Sequence, residues 1–188
     1  TNCGEYVVIT RASLNTTEVL YLSVLTPTAD FQLLTPRVDG VRYYFEHRTT
    51  HFYLLSNNNS AENFQLERVP ITNTSVLWDQ REELIASSSF SMLTRVELHS
   101  TFIAVFAVDY GVDAVYVIPL SDGSVPAKQT VQLNSIPNSA RFGIRRVADV
   151  YPEVRFGNYD DAGLPLVAAS LASPPALYRY NPLNNSVL

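Results

Sequence analysis

Short apolar runs separated by polar turns repeat along the chain, and the clearest pair lies between residues 50 and 69. Residues 51–56 (HFYLLS) set Phe, Tyr and Leu in succession, residues 57–63 are polar without Gly or Pro, and the chain returns through alternating Phe64, Leu66 and Arg68. This pattern predicts a hairpin. Its first strand reads as buried on both faces, and its second as half-exposed.

The same unit recurs three times. Residues 5–10 (EYVVIT), a polar turn at 13–17 and residues 18–25 (EVLYLSVL) make one copy. Residues 101–108 (TFIAVFAV), a turn at 109–113 and residues 114–120 (AVYVIPL) make another. The last is 164–170 (LPLVAAS), a turn through Pro174 and Pro175, and 176–180 (ALYRY). Tyr6, Tyr53, Ile103 and Leu166 are spaced by 47, 50 and 63 residues, against roughly 40 to 50 for propeller repeats. An insertion accounts for the longer last step.

Strand-like segments also lie between the hairpins. Residues 30–34, 77–80 with 83–85, and 130–133 close the first, second and third units, while 41–46, 92–98 and 150–156 open the second, third and fourth. A loop at 141–147 precedes the last of these. Each full unit is then a four-stranded antiparallel meander, the pattern of one propeller blade. The expected fold is an all-β propeller fragment with blade pieces at about 1–35, 36–88, 89–134 and 135–188, the first lacking its opening strand and the fourth its closing one. Helical periodicity is weak throughout, its best candidate being 79–86, one or two turns long or a bent strand. A blade cannot cover its own faces, so an arc of a larger ring is expected, with open edges that invite self-association.

Composition narrows the classes of function. At 188 residues and 46% hydrophobic, the chain is long enough for one domain with a real core. No apolar run reaches the length of a membrane-spanning helix. A net charge of −5 argues against nucleic-acid binding; the one dense basic patch, Arg141, Arg145 and Arg146, reads as a solvated or interdomain surface. Cys3 is the single cysteine, which leaves no internal disulfide and no expected cysteine-based zinc site, and favours a reducing, cytoplasmic location. Four N-x-[ST] sequons, at Asn15, Asn58, Asn73 and Asn184, point the other way only weakly in an Asn-rich chain. The N-terminus has no initiator Met and no signal-like pattern, and the chain reads as a piece of a longer protein.

Catalytic constellations are not evident. None of the seven glycines builds a G-x-S-x-G elbow, and residues 87–91 (SSSFS) read as a loop. Glu46, His47 and His51 invite a metal reading because they fall within six residues across a tight turn, but ordinary hairpin polarity explains them. Adjacent Asp160 and Asp161 read as turn residues. No cofactor and no metal are expected, and no catalytic residue is assigned.

Several motifs, in order, carry a resemblance. EVLYL at 18–22, Pro36-Arg37, YYFEH at 43–47, FYLLSN at 52–57 and NFQL at 63–66 resemble the β-propeller domain of prolyl-oligopeptidase-family serine peptidases. Trp78, Glu97-Leu98 and SPPALYRYN at 173–181 are most similar to its oligopeptidase B, or protease II, branch. The resemblance implies a seven-bladed ring capping an α/β-hydrolase domain of the same parent chain, admitting only short oligopeptides and cleaving after Arg or Lys. In that fold, the connections between the second and third strands of each blade face the peptidase domain. The matching positions here are Asn57, Asn58, Glu62 and Asn63, and Asp109, Tyr110 and Asp113. Asn in such loops often only shapes the turn, whereas the carboxylates could attract basic peptides or bridge to Arg on the hydrolase domain.

Two other classes compete with a gating and docking segment. A stand-alone interaction scaffold of WD-repeat type lacks support, because Trp78-Asp79 occurs once and no Gly-His partner accompanies it. An extracellular recognition propeller rests on the sequons alone.

Overall fold

Fifteen strands lie among the described residues, the longer ones on the apolar runs. The computed structural model describes residues 1–72, 76–120, 129–130, 144–146, 160, 162–170, 173–182, 184 and 186–187. The chain divides into two compact units, Thr1–Ser89 and Phe90–Leu188.

In the first unit, β1 (Tyr6–Ala12), β2 (Thr17–Ser23) and β3 (Gln32–Leu33) form a three-stranded antiparallel sheet in that order. A second sheet follows with β4 (Tyr43–Arg48), β5 (His51–Ser56), β6 (Gln65–Pro70) and β7 (Glu82–Ile85), again in sequence order. Strand β5 is the centre of this sheet. Phe52 and Leu54 point to one face, where they join Val19, Leu34, Tyr43 and Val69, and Tyr53 and Leu55 are buried on the opposite face. Burying a large apolar side chain stabilises by about 1.5–3 kcal/mol, which is why HFYLLS cannot sit at a surface. Tyr6, Tyr21, Phe45 and His47 surround Phe52 with ring centroids 4.7–5.6 Å from it, all near edge-to-face.

The second unit repeats the arrangement. Strands β8 (Ser91–Leu98), β9 (Phe102–Asp109), β10 (Val112–Pro119) and β11 (Gln129–Thr130) form one meander, and β12 (Ile144–Arg146), β13 (Leu164–Ser170), β14 (Ser173–Asn181) and β15 (Ser186–Val187) form another. Phe102, Ala104, Phe106, Val115 and Val117 of the first pack on Leu164, Leu166, Ala168 and Tyr180 of the second. Alternate residues along the β9–β10 and β13–β14 hairpins build this core, as the period-two pattern requires.

Several details differ from the sequence expectation. Strand β6 is mostly buried: Gln65 and Glu67 lie inside with Leu66 and Val69, and Arg81 reaches to 3.8 Å from the Glu67 carboxylate. Trp78–Gln80 is a 3-10 turn, and the closing strand of that sheet is β7 alone. Ile144–Arg146, inside the stretch read as a loop, pairs with β13 as a strand, while residues 150–156 lie outside the described residues. Pro174 and Pro175 sit within β14 rather than in the turn, since Ser170 pairs with Ser173 and exposed positions tolerate the missing N–H. The fourth sheet also gains its closing strand, as Tyr180 pairs with Val187 and Asn181 with Ser186 in β15. A two-residue closing strand without an apolar run offers no periodicity to read. Of residues 130–133, only Thr130 falls in described strand.

Candidate functional site

The β5–β6 connection is a loop without glycine. Asn59, Ser60 and Phe64 adopt positive φ of 54°, 62° and 64°, a conformation costly for residues with a Cβ unless their surroundings hold them. Asn57 supplies much of that hold. Its Oδ1 accepts the Arg42 backbone N–H at 2.6 Å, and its Nδ2 donates to the Gly40 carbonyl at 2.9 Å. At the other end, Asn63 Nδ2 donates to the Ser88 carbonyl at 2.8 Å, and Phe64 lies beside Tyr44 with the Arg42 guanidinium 5.8 Å from its ring centre.

The β9–β10 connection is tighter. Asp109 pairs with Val112, so Tyr110 and Gly111 are the two turn residues, with φ of 49° and 81°. Two successive positive φ values are the signature of a type I′ hairpin turn, which suits the twist of the flanking strands. Tyr110 stacks on Phe90 with centroids 5.1 Å apart, and the Tyr116 hydroxyl donates to the Asp109 carboxylate. Burial and that hydrogen bond push the Tyr116 pKa up to about 12.

The seven candidates therefore separate. Asn57, Asn63 and Asp109 spend their side chains on the fold, Tyr110 sits exposed on the turn, and Asp113 is half-buried in β10 opposite Val108. Glu62 is exposed, and Asn58 is half-buried. Among the described residues, neither Asn58 nor Glu62 makes a side-chain hydrogen bond or an ion pair. Within the first unit these loop residues lie at one end of β5, and Thr49–Thr50 at the other.

That far end holds two features that sequence spacing did not show. A cavity of about 510 Å³ is lined there by Glu5, Tyr6, Tyr21, Thr49, Phe52 and Ile71, among others. Beside it, Cys3, Glu5 and His47 bring their ligand-type atoms within 4.8 Å of one another. His47 is buried, and burial holds its pKa below the usual histidine value, while Glu5 and the Thr49 carbonyl act the other way. The other members of the histidine-rich turn go elsewhere: Glu46 accepts the Asn2 backbone N–H at 3.1 Å, and His51 Nδ1 lies 3.1 Å from Thr50 Oγ1. His99 is buried and stacks on Phe102. Asp160 is an exposed turn residue, and Asp161 lies outside the described residues.

The comparisons with known proteins fit these meanders. The family model for the prolyl oligopeptidase N-terminal β-propeller domain matches residues 1–188. The chain belongs to this family. Oligopeptidase B from Trypanosoma brucei, solved in a closed form with covalently bound antipain, superposes with a TM-score of 0.84 at 18% identity, covering 100% of this chain and 26% of that one. Oligopeptidase B from Leishmania major gives 0.82 at 21% identity, covering 98% and 25%. A prolyl endopeptidase structure gives 0.75 at 17% identity, covering 98% and 24%. No curated protein sequence matches the chain. This prolyl oligopeptidase propeller segment thus spans about a quarter of the length of those peptidases, in which the propeller and the peptidase domain share one chain.

Proposed function

We propose that this chain is a non-catalytic propeller segment of an oligopeptidase B-type serine peptidase. It docks on an α/β-hydrolase domain of the same parent chain and limits entry to short oligopeptides, which that domain cleaves after Arg or Lys. The observation that carries the reading is the superposition on oligopeptidase B over the whole of this chain. Its acidic balance, with a net charge of −5 and an exposed Glu62, suits substrates bearing Arg or Lys.

The parent protein tests this directly. Reporter peptides ending in Arg, Lys or Pro, each short and each extended to protein length, should show at least about tenfold higher kcat/KM for short Arg and Lys peptides, a gap of roughly 1.4 kcal/mol in transition-state binding. This segment alone should cleave none of them. A parent that prefers Pro, or that digests folded proteins as readily as short peptides, overturns the reading.

Two corollaries follow from the same proposal. Val7 and Ile9 on the outer strand β1 are 48% and 42% exposed, on the face opposite Tyr6 and Val8; the remaining blades cover this face in the parent, and the isolated segment self-associates through it, which light scattering across a concentration series reads. The free thiol of Cys3 suits the cytoplasm, and glycan mass at Asn15 or Asn184 in native protein would refute that location.

A further inference from the structure

We propose that Cys3, Glu5 and His47 form a binding site for a divalent cation of the zinc class. A single cysteine cannot by itself make a cysteine-based zinc site. The fold answers that objection by bringing His47 to it across 44 residues of chain, beside Glu5, its neighbour two positions on.

Geometry supports the assignment first. Cys3 Sγ and His47 Nδ1 are 3.2 Å apart, and the Glu5 carboxylate lies within 4.8 Å of both. Tetrahedral zinc, with bonds of about 2.3 Å to sulfur and about 2.0 Å to nitrogen, holds those two ligands about 3.5 Å from each other. A cation therefore enters by moving Sγ and Nδ1 a few tenths of an ångström and by drawing in the Glu5 carboxylate. Cys3 Sγ also lies 3.4 Å from Thr1 Oγ1.

The imidazole is prepared for that role. Nε2 of His47 lies 2.8 Å from the Thr49 carbonyl, a group that only accepts, so Nε2 carries the proton and the Nδ1 lone pair faces Cys3. A backbone carbonyl on the far ring nitrogen is the usual device for orienting a metal-binding histidine. Tyr6 and Phe52 flank the ring at 4.6 and 5.6 Å, which fixes its plane.

Donor chemistry selects the ion. Thiolate and imidazole suit zinc and its neighbours, whereas calcium and magnesium require oxygen ligands throughout. Three protein ligands leave a fourth position for water. Bound metal would clip the segment leading into β1 to strand β4 of the next sheet, two elements already joined by the Asn2–Glu46 hydrogen bond.

Cobalt is the informative probe, because Cys3 is the only cysteine and a thiolate-to-cobalt charge-transfer band reports this site alone. Untagged chain, reduced and free of chelator, is titrated with Co²⁺ and then with Zn²⁺. One equivalent of cobalt should raise the band, and zinc should bleach it. Glu5→Gln should weaken binding by about tenfold, and Cys3→Ser should abolish the band and weaken zinc binding by at least about tenfold. Both substitutions lie outside the buried core, and far-ultraviolet circular dichroism confirms that each variant folds. Absence of the band at millimolar cobalt, or zinc affinity unchanged in folded Cys3→Ser, overturns the proposal and leaves a simple thiol-to-imidazole hydrogen bond.

Discussion

The hydroxyl of Tyr43 accepts the backbone N–H of Val19 at 3.0 Å, and Thr35 Oγ1 donates to the same oxygen at 2.9 Å. Tyr43 opens one sheet and Val19 lies in its neighbour, so a single buried phenol joins two blade-like meanders. Apolar packing between sheets is tolerant of small shifts, but a directed hydrogen bond fixes register. Removing only the oxygen isolates this contribution. Tyr43→Phe leaves a buried N–H without an acceptor, a cost of about 1–3 kcal/mol. Urea unfolding should show a lower midpoint with an unchanged slope.

Asn57 answers whether the β5–β6 loop is shaped or reactive. Its amide bridges Arg42 and Gly40 with both of its ends, so Asn57→Ala should destabilise by about 1–2 kcal/mol. Asn57→Asp keeps the acceptor and loses the donor, and should fall between the two. In the parent enzyme neither change should alter kcat/KM for short peptides at temperatures where the fold is intact. A large loss of activity with normal stability would instead place this amide at the substrate.

Much of this architecture was open to reading in the chain itself, and the limits are instructive. Runs such as HFYLLS at 51–56 and FIAVFAV at 102–108 have no polar alternation, and both become central strands buried on two sides. Polar residues misled where a partner covers them. Gln65 and Glu67 suggested a solvent face, yet they are buried, with Arg81 near the Glu67 carboxylate. Short closing strands such as Ser186–Val187 owe their place to pairing with β14, which no local pattern announces. Cys3 and His47 meet only because one sheet packs on the next, a tertiary fact invisible to motif spacing. For the candidate loops, position in the hairpin was readable, but which side chains the fold consumes was not.

Gly111 offers a clean backbone test. Its φ is +81° and an added Cβ would meet nothing within 4 Å. The cost of Gly111→Ala is therefore conformational alone, about 1 kcal/mol. Thermal unfolding should shift downward by a few degrees, with no change in the spectrum of the folded state. Should the variant be as stable as the parent sequence, the hairpin does not keep this turn in solution.

Tyr116 sets an alkaline limit on stability. Burial and the hydrogen bond to Asp109 raise its pKa from 10.0 to about 12, so the folded state resists losing a proton that the unfolded state gives up more easily. The sign follows from linkage: the contribution is complete below pH 10, declines as pH rises from about 10 to about 12, and then levels off. Tyr116→Phe removes the titrating group and should flatten that limb, at the expense of lower stability at neutral pH because Asp109 loses its donor. Unfolding midpoints measured from pH 8 to roughly 12 separate the two effects, since lost hydrogen bonding lowers the neutral plateau and lost titration changes only the slope above pH 10. A slope identical in both proteins would mean that Tyr116 ionises as freely in the folded chain as in the unfolded one, and that the Asp109 contact does not hold its proton.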